Sequence, residues 1–356
     1  GNPSSIHWTG AEARDAVESA RRSIARLLNS TARRITFTGG GSEADNLAIK
    51  GLAFANSQKG SHIVTSSIEH PAILNACKFL AAQGWKITYL GVDSLGIVHP
   101  DELERAMNPG TVLVSIMSAN NETGAIQPVA ELAAIAHRHG ALFHTDAVQA
   151  AGKLPLDVDA LGADLVSLSA HKIHGPKGVG ALYMRKGVKL EPLIHGGGQE
   201  SGLRAGTENV PGIAGFGKAC ELAQARLPEM ERVRALRDSL QAGILALMPG
   251  ARVNGHTVHR LPNTLNVTLP GLRGESVVLH MSRLGVALSS GSACKSGSPD
   301  PSHALLAMGM PAEDAHCALR FSLAHDSTDA DIELALECLD QIIRESRNSV
   351  RFVPCR

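Results

Sequence analysis

Seven short apolar runs alternate with amphipathic stretches over the first half of the chain, and that alternation leaves few folds open. The runs are RITFT (34–38), HIVTSS (62–67), KITYLG (86–91), TVLVSIM (111–117), ALFHTD (141–146), DLVSLSA (164–170) and GVGALYMR (178–185). Helical spacing of apolar residues marks 11–28, 42–55, 71–84, 100–107 and 128–140 between or before them. Several runs are solidly apolar, as strands buried on both faces must be. Strand and helix in turn predict an α/β fold with a mostly parallel central sheet in a large domain. The pattern changes near residue 225. A charged helix is expected at 228–248, then a strand at 264–269, a helix near 274–284, a strand at 318–323 and a last helix at about 328–347. This predicts a large domain over 1–227 and a small α+β domain over 228–356, hinged on the long helix.

Composition narrows the function. Lys+Arg and Asp+Glu both number 34, so no basic excess points to nucleic acid or an anionic membrane. Hydrophobic residues at 44% support a large core and argue against disorder. No apolar run approaches the roughly 18 residues that span a bilayer. The six cysteines form no C-x-x-C pair, which fits a reducing cytoplasm better than a disulfide framework or a zinc knuckle.

In open α/β sheets ligands bind beyond the carboxyl ends of the strands. Gly41-Ser42, Glu69-His70, Asn120-Asn121-Glu122, His144-Thr145-Asp146 and Ser169-Ala170-His171-Lys172 fall there. Three glycines ahead of a helix opened by Ser42 form a cradle for an anion such as phosphate. Asp146, Lys172 and that cradle together meet the needs of pyridoxal phosphate: a lysine for the Schiff base, an acid for the pyridine nitrogen and donors for the phosphate. Other motifs compete less well. Ser169-x-x-Lys172 needs a helix to act as an acyl-enzyme pair, and His174-Gly-Pro-Lys-Gly178 cannot continue one. Gly212-x-x-x-x-Gly217-Lys218 lacks the Ser/Thr and preceding strand of a phosphate loop, so packing glycines are expected. His144-x-Asp146 and His171-x-x-His174 lack a third cluster of ligands, so hydrogen bonding is expected and no metal.

In the second half, Cys294 sits in a Ser/Gly run beside Lys295, a setting that favours thiolate. A free surface thiol is the bland alternative. Cys77, Cys317 and Cys338 fall in regular patterns and read as core thiols. Arg320, between Leu319 and Phe321, either pairs with a structural acid or clamps a substrate carboxylate.

The stretches FTGGGSEADNLAIKG, SSIEHPAIL, VSIMSANNETGAIQP, FHTDAVQAAGK, SAHKIHGPKGVGALY, HGGGQESGLRAGTENV, LPNTLN, SSGSACKSGSPDPSH and LRFSL resemble the NifS/IscS-type cysteine desulfurases, from residue 1 to about 340. The resemblance implies pyridoxal-phosphate fold type I, a homodimer and conversion of L-cysteine to L-alanine. Lys172 would carry the cofactor, Asp146 would face its pyridine nitrogen, His70 would stack on the ring and move protons, and Gln149 would contact the phenolic oxygen. Gly41, Ser42, Ser169 and His171 would hold the phosphate, with Thr207 reaching in from the other subunit. Asn121 and Arg320 would bind the substrate carboxylate. Cys294 would take the sulfur as a persulfide and pass it to an iron–sulfur scaffold or another acceptor. Ser42 stands where the family usually has Thr and keeps the hydroxyl. The family pattern also has an Asp-Asn-Asn-Ala-Thr-Thr-like segment ahead of Gly1. Two rivals stay open: an aminotransferase or selenocysteine-specific lyase on the same fold, and a non-catalytic sulfur-carrying scaffold.

Overall fold

The structure is a computed structural model that describes residues 1–290 and 300–349. Its apolar runs form strands β1 (Ile35–Thr38), β2 (His62–Ser66), β3 (Lys86–Leu90), β4 (Thr111–Ser115), β5 (Leu142–Asp146), β6 (Leu165–Ser169) and β7 (Gly180–Met184). They make one sheet in the order β1-β7-β6-β5-β4-β2-β3. The pairs β3–β2, β2–β4, β4–β5 and β5–β6 are parallel, while β7 runs antiparallel to both β6 and β1. β1 therefore points the same way as β6, and the carboxyl ends of six strands share one edge of the sheet. Every residue of β2, β4 and β6 is buried, whereas the edge strand β3 is largely not. This is the expected distribution for a sheet covered on both faces. Each fully buried Leu or Ile contributes about 1.5–3 kcal/mol.

The predicted helices appear as Trp8–Leu27, a helical stretch through Gly41–Asn46, Leu47–Gly51 and Leu52–Asn56, then Pro71–Ala82, Pro100–Ala106 and Val129–Arg138. A further helix, Val210–Ala225, carries Gly212, Gly215 and Gly217, which dilute its apolar pattern. Those glycines have a packing role: a Cβ at Gly217 would lie 2.5 Å from Ala20 Cα, so the two helices touch backbone to backbone.

These elements form one compact unit, Gly1–Gly91, Val98–Asn120 and Gln127–Leu227. The second unit comprises Val92–Ile97, Asn121–Ile126 and Pro228–Arg356. It holds β8 (Arg252–Asn254), β9 (Thr264–Thr268), β10 (Ser289–Ser290) and β11 (Ala318–Ser322), antiparallel in the order β10-β11-β9-β8. Val233, Leu240 and Ile244 of the Met230–Leu247 helix and Leu339 and Ile343 of the Asp329–Ser349 helix share its core with Leu265, Val267 and Phe321. The segment at 121–126 joins it through an Asn266 Nδ2 bond to the Glu122 carbonyl and an Ala125–Arg260 bridge.

Candidate active site

At the end of β1 the chain turns through Gly39, Gly40 and Gly41. Gly40 has φ 152° and ψ 177°, a region open in practice only to glycine. The turn must also pass Gly180 of β7, where a Cβ would lie 2.5 Å from the Gly40 carbonyl carbon. The helix starts at Gly41, one residue earlier than the sequence suggests, and no side chain caps its first N–H groups. Gly41 has no room for a side chain either. A Cβ there would be 3.0 Å from Val148 Cγ2 and 3.2 Å from Ser169 Cβ. Uncapped N–H groups, a helix dipole and a nearby hydroxyl make an anion cradle. Ser42 is exposed at its lip.

Ser169, the last residue of β6, has Oγ 2.8 Å from His171 Nδ1. Burial, then the charges of Lys172 and Lys177, lower the His171 pKa. Lys172 does not end the strand. It lies three residues on, exposed in the 3₁₀ turn Ala170–Ile173, which closes through left-handed His174 and a Gly175 N–H bond to the Ala170 carbonyl. The acyl-enzyme geometry is therefore absent from Ser169 and Lys172.

Asp146 ends β5 and is 7% exposed. Its Oδ1 accepts the Val148 N–H at 2.8 Å. Burial raises its pKa to about 6, against the pull of that bond and of Lys172. His144, two residues earlier on the same face, bonds Ser115 Oγ and Ser167 Oγ, each at 2.9 Å, so its role is hydrogen bonding. Among the described residues no group of three His, Cys, Asp or Glu could hold a metal ion.

His70 caps the Pro71–Ala82 helix, its Nδ1 accepting the Ala72 N–H at 3.2 Å. Its neighbour Glu69 is fully buried. The Glu69 Oε1 atom accepts from Ser66 Oγ at 2.6 Å and from Met117 N at 3.0 Å. Gln149 is half-buried in the turn after β5, its carbonyl accepting from Lys153 Nζ. Thr207 is exposed on the loop before the Val210–Ala225 helix. Two acids missed by sequence reasoning fix that loop. Glu200 takes Arg21 through two bonds of 2.7 and 2.8 Å and the Phe37 N–H. Glu43 joins Arg204 to the Gly39 N–H.

In the second unit Arg320, half-buried on β11, donates from Nη1 to the Asn121 carbonyl at 2.8 Å and from Nη2 to Ser289 Oγ at 3.2 Å. The two residues named for a carboxylate thus lie together. Cys294 and Cys355 lie outside the described residues. Cys77, Cys220 and Cys338 are buried, and Cys317 is half-buried. Burial pushes the Cys77 thiol up to about 12 and the Cys220 thiol up as well, so both are inert.

Residues 1–335 match the aminotransferase class-V family. Cysteine desulfurase IscS of Methanosarcina thermophila is 51% identical over 355 residues, 99% of this chain and 88% of that protein. The chain belongs to the cysteine desulfurases of the class-V aminotransferase family. Among solved structures, a NifS-like protein is 40% identical with a TM-score of 0.91, covering 97% of this chain and 92% of its own. The structure of SspA in complex with cysteine is 40% identical with a TM-score of 0.80, covering 91% and 90%. Enzymes of this family depend on pyridoxal phosphate. The residues of the first unit fit that group: an uncapped helix start with no room for a Cβ suits a phosphate, and a buried acid suits a pyridinium nitrogen.

Proposed function

We propose that this enzyme removes the sulfur of L-cysteine, releases L-alanine and holds the sulfur as a persulfide on Cys294. The observation that carries this reading is a buried acid, Asp146, that feels the charge of Lys172, together with the uncapped Gly41 helix start. The cysteine held in the SspA structure supports the substrate class.

When bound, pyridoxal phosphate supplies the electron sink that makes the substrate α-proton removable. Lys172 would hold the cofactor covalently through Nζ. Asp146 keeps a proton on the pyridine nitrogen. The N–H groups at Gly41 and Ser42, the hydroxyls of Ser42 and Ser169 and the His171 ring bind the phosphate, with Thr207 contributed across a homodimer. His70 would face the cofactor and move protons, with Nδ1 engaged by its own helix start. Gln149 would donate to the cofactor's phenolic oxygen. Asn121 and Arg320 hold the substrate carboxylate; guanidinium geometry suits two parallel bonds to it. The Cys294 thiolate attacks the substrate sulfur. An S–S bond forms, the C–S bond breaks, and the released electron pair is protonated at carbon to leave alanine. The persulfide then passes to an acceptor protein such as an iron–sulfur scaffold, in the cytoplasm. Among the described residues no helix is long and apolar enough to cross a membrane.

Incubation of the purified protein with L-cysteine tests this directly. Alanine and persulfide in equal amounts support it. Pyruvate or a transaminated product without persulfide overturns it.

A further inference from the structure

Two carboxyl groups buried side by side cannot both ionise unless cations or several donors hold the second charge. Asp146 has a donor in the Val148 N–H and a cation in Lys172. Asp45, on the helix that starts at Gly41, has one hydroxyl partner, Ser167, and no cation. It is 1% exposed, its Oδ1 accepts no hydrogen bond, and that atom lies 3.9 Å from His144 Nε2. His144 is fully buried and brings no positive charge, because burial lowers its pKa to about 3. The groups that act on Asp45 are Asp146, Ser167 and Glu69, none of them a cation. Burial and the charge of Asp146 both raise the Asp45 pKa well above the usual carboxylate range, against the Ser167 hydrogen bond.

Side chains across three parallel strands join Asp45 to the site. Ser167 sits opposite Asp146 in the β5–β6 register, and its hydroxyl meets both Asp45 and His144 Nε2. His144 Nδ1 then meets Ser115 on β4, its register partner. We propose that Asp45 is a positioning residue, kept as a neutral acid within the Ser167–His144–Ser115 chain, so that the negative charge beside the cofactor is confined to Asp146. The donors then run one way. The Asp45 O–H donates to Ser167, the Ser167 O–H to His144 Nε2, and the His144 Nδ1–H to Ser115. An ionised Asp45 would reverse all three. A second negative charge here would also raise the proton affinity of Asp146 and draw onto it the proton that the pyridine nitrogen must keep. The inference rests on Asp146 being that nitrogen's partner.

Infrared difference spectra of the holoprotein, wild type minus Asp45→Asn at neutral pH, test it. The expected result is loss of a protonated carboxylic-acid carbonyl band in the variant. On the same samples, the pH midpoint of the bound cofactor's visible absorbance should stay within about 0.3 unit of wild type. Asp45→Ala should lower that midpoint by about one unit, as water enters beside Asp146, and the Asn variant thus rescues what the Ala variant loses. Loss of carboxylate bands, or a midpoint moved by about one unit in Asp45→Asn, overturns the proposal. Asp146→Asn tests the underlying reading separately. An unchanged midpoint there removes the role of Asp146 while the infrared result on Asp45 still stands.

Discussion

Glu69 Oε1 accepts the backbone N–H of Met117 at 3.0 Å and so ties the loop after β2 to the chain leaving β4. Ser66 Oγ meets the same oxygen at 2.6 Å. The crosslink fixes the residue just before His70. It also buries a carboxyl group completely, and burial raises its pKa from 4.5 to about 8, only partly offset by those two bonds.

A raised pKa means that the folded state holds this proton more tightly than the unfolded one. The stabilisation is complete below about pH 4.5 and is lost as pH rises through about 8. Glu69→Gln keeps the shape and removes the titration. Its melting temperature should vary less with pH between about 5 and 8 than that of wild type, by the equivalent of a few kcal/mol. Parallel pH dependences in the two proteins would contradict this.

As the proposed clamp on the substrate carboxylate, Arg320 should matter to substrate binding. Arg320→Lys keeps the charge but loses the planar fork. It should raise the KM for L-cysteine about 10-fold or more, with a melting temperature near wild type. An unchanged KM would leave Arg320 with a structural role only.

Lys172→Ala should leave the cofactor removable by dialysis and abolish turnover. The helix-start cradle would still bind it, but nothing would hold it covalently. A variant that turns over without added amine would sink the assignment.

Thr207 is exposed in the single chain, and the proposed contact with phosphate needs a second subunit. Sedimentation should find a dimer. Thr207→Val should weaken cofactor affinity about tenfold, the worth of one hydrogen bond to a charged group. A fully active monomer would contradict both.

The large sheet was legible in the sequence because its central strands are buried on both faces and so read as unbroken apolar runs, TVLVS at 111–115 being the plainest. β8 and β10, of three and two residues, are too short to carry a period. The candidate site was legible where glycine spacing or a polar residue ends an apolar run, as at Gly41, Asp146 and Ser169. Asp45, Glu43 and Glu200 escaped notice because acids on a helix or loop read as solvated. Asp45 is buried and the other two clamp distant segments, through long-range contacts that no local pattern encodes. The 121–126 segment belongs with residues 228–356 for the same reason: its partners Arg260 and Asn266 are far away in sequence.

The central claim is that Cys294 is the sulfur acceptor, and single turnover of Cys294→Ser with L-cysteine tests it most directly. The variant should bind pyridoxal phosphate, change its absorbance on adding L-cysteine and then stall, because a neutral serine hydroxyl is a poor attacker of sulfur. Persulfide labelling of the wild type should mark Cys294 and leave Cys77, Cys220, Cys317, Cys338 and Cys355 clean. Undiminished alanine release by Cys294→Ser, or a label on another cysteine, would contradict the account while leaving the fold intact.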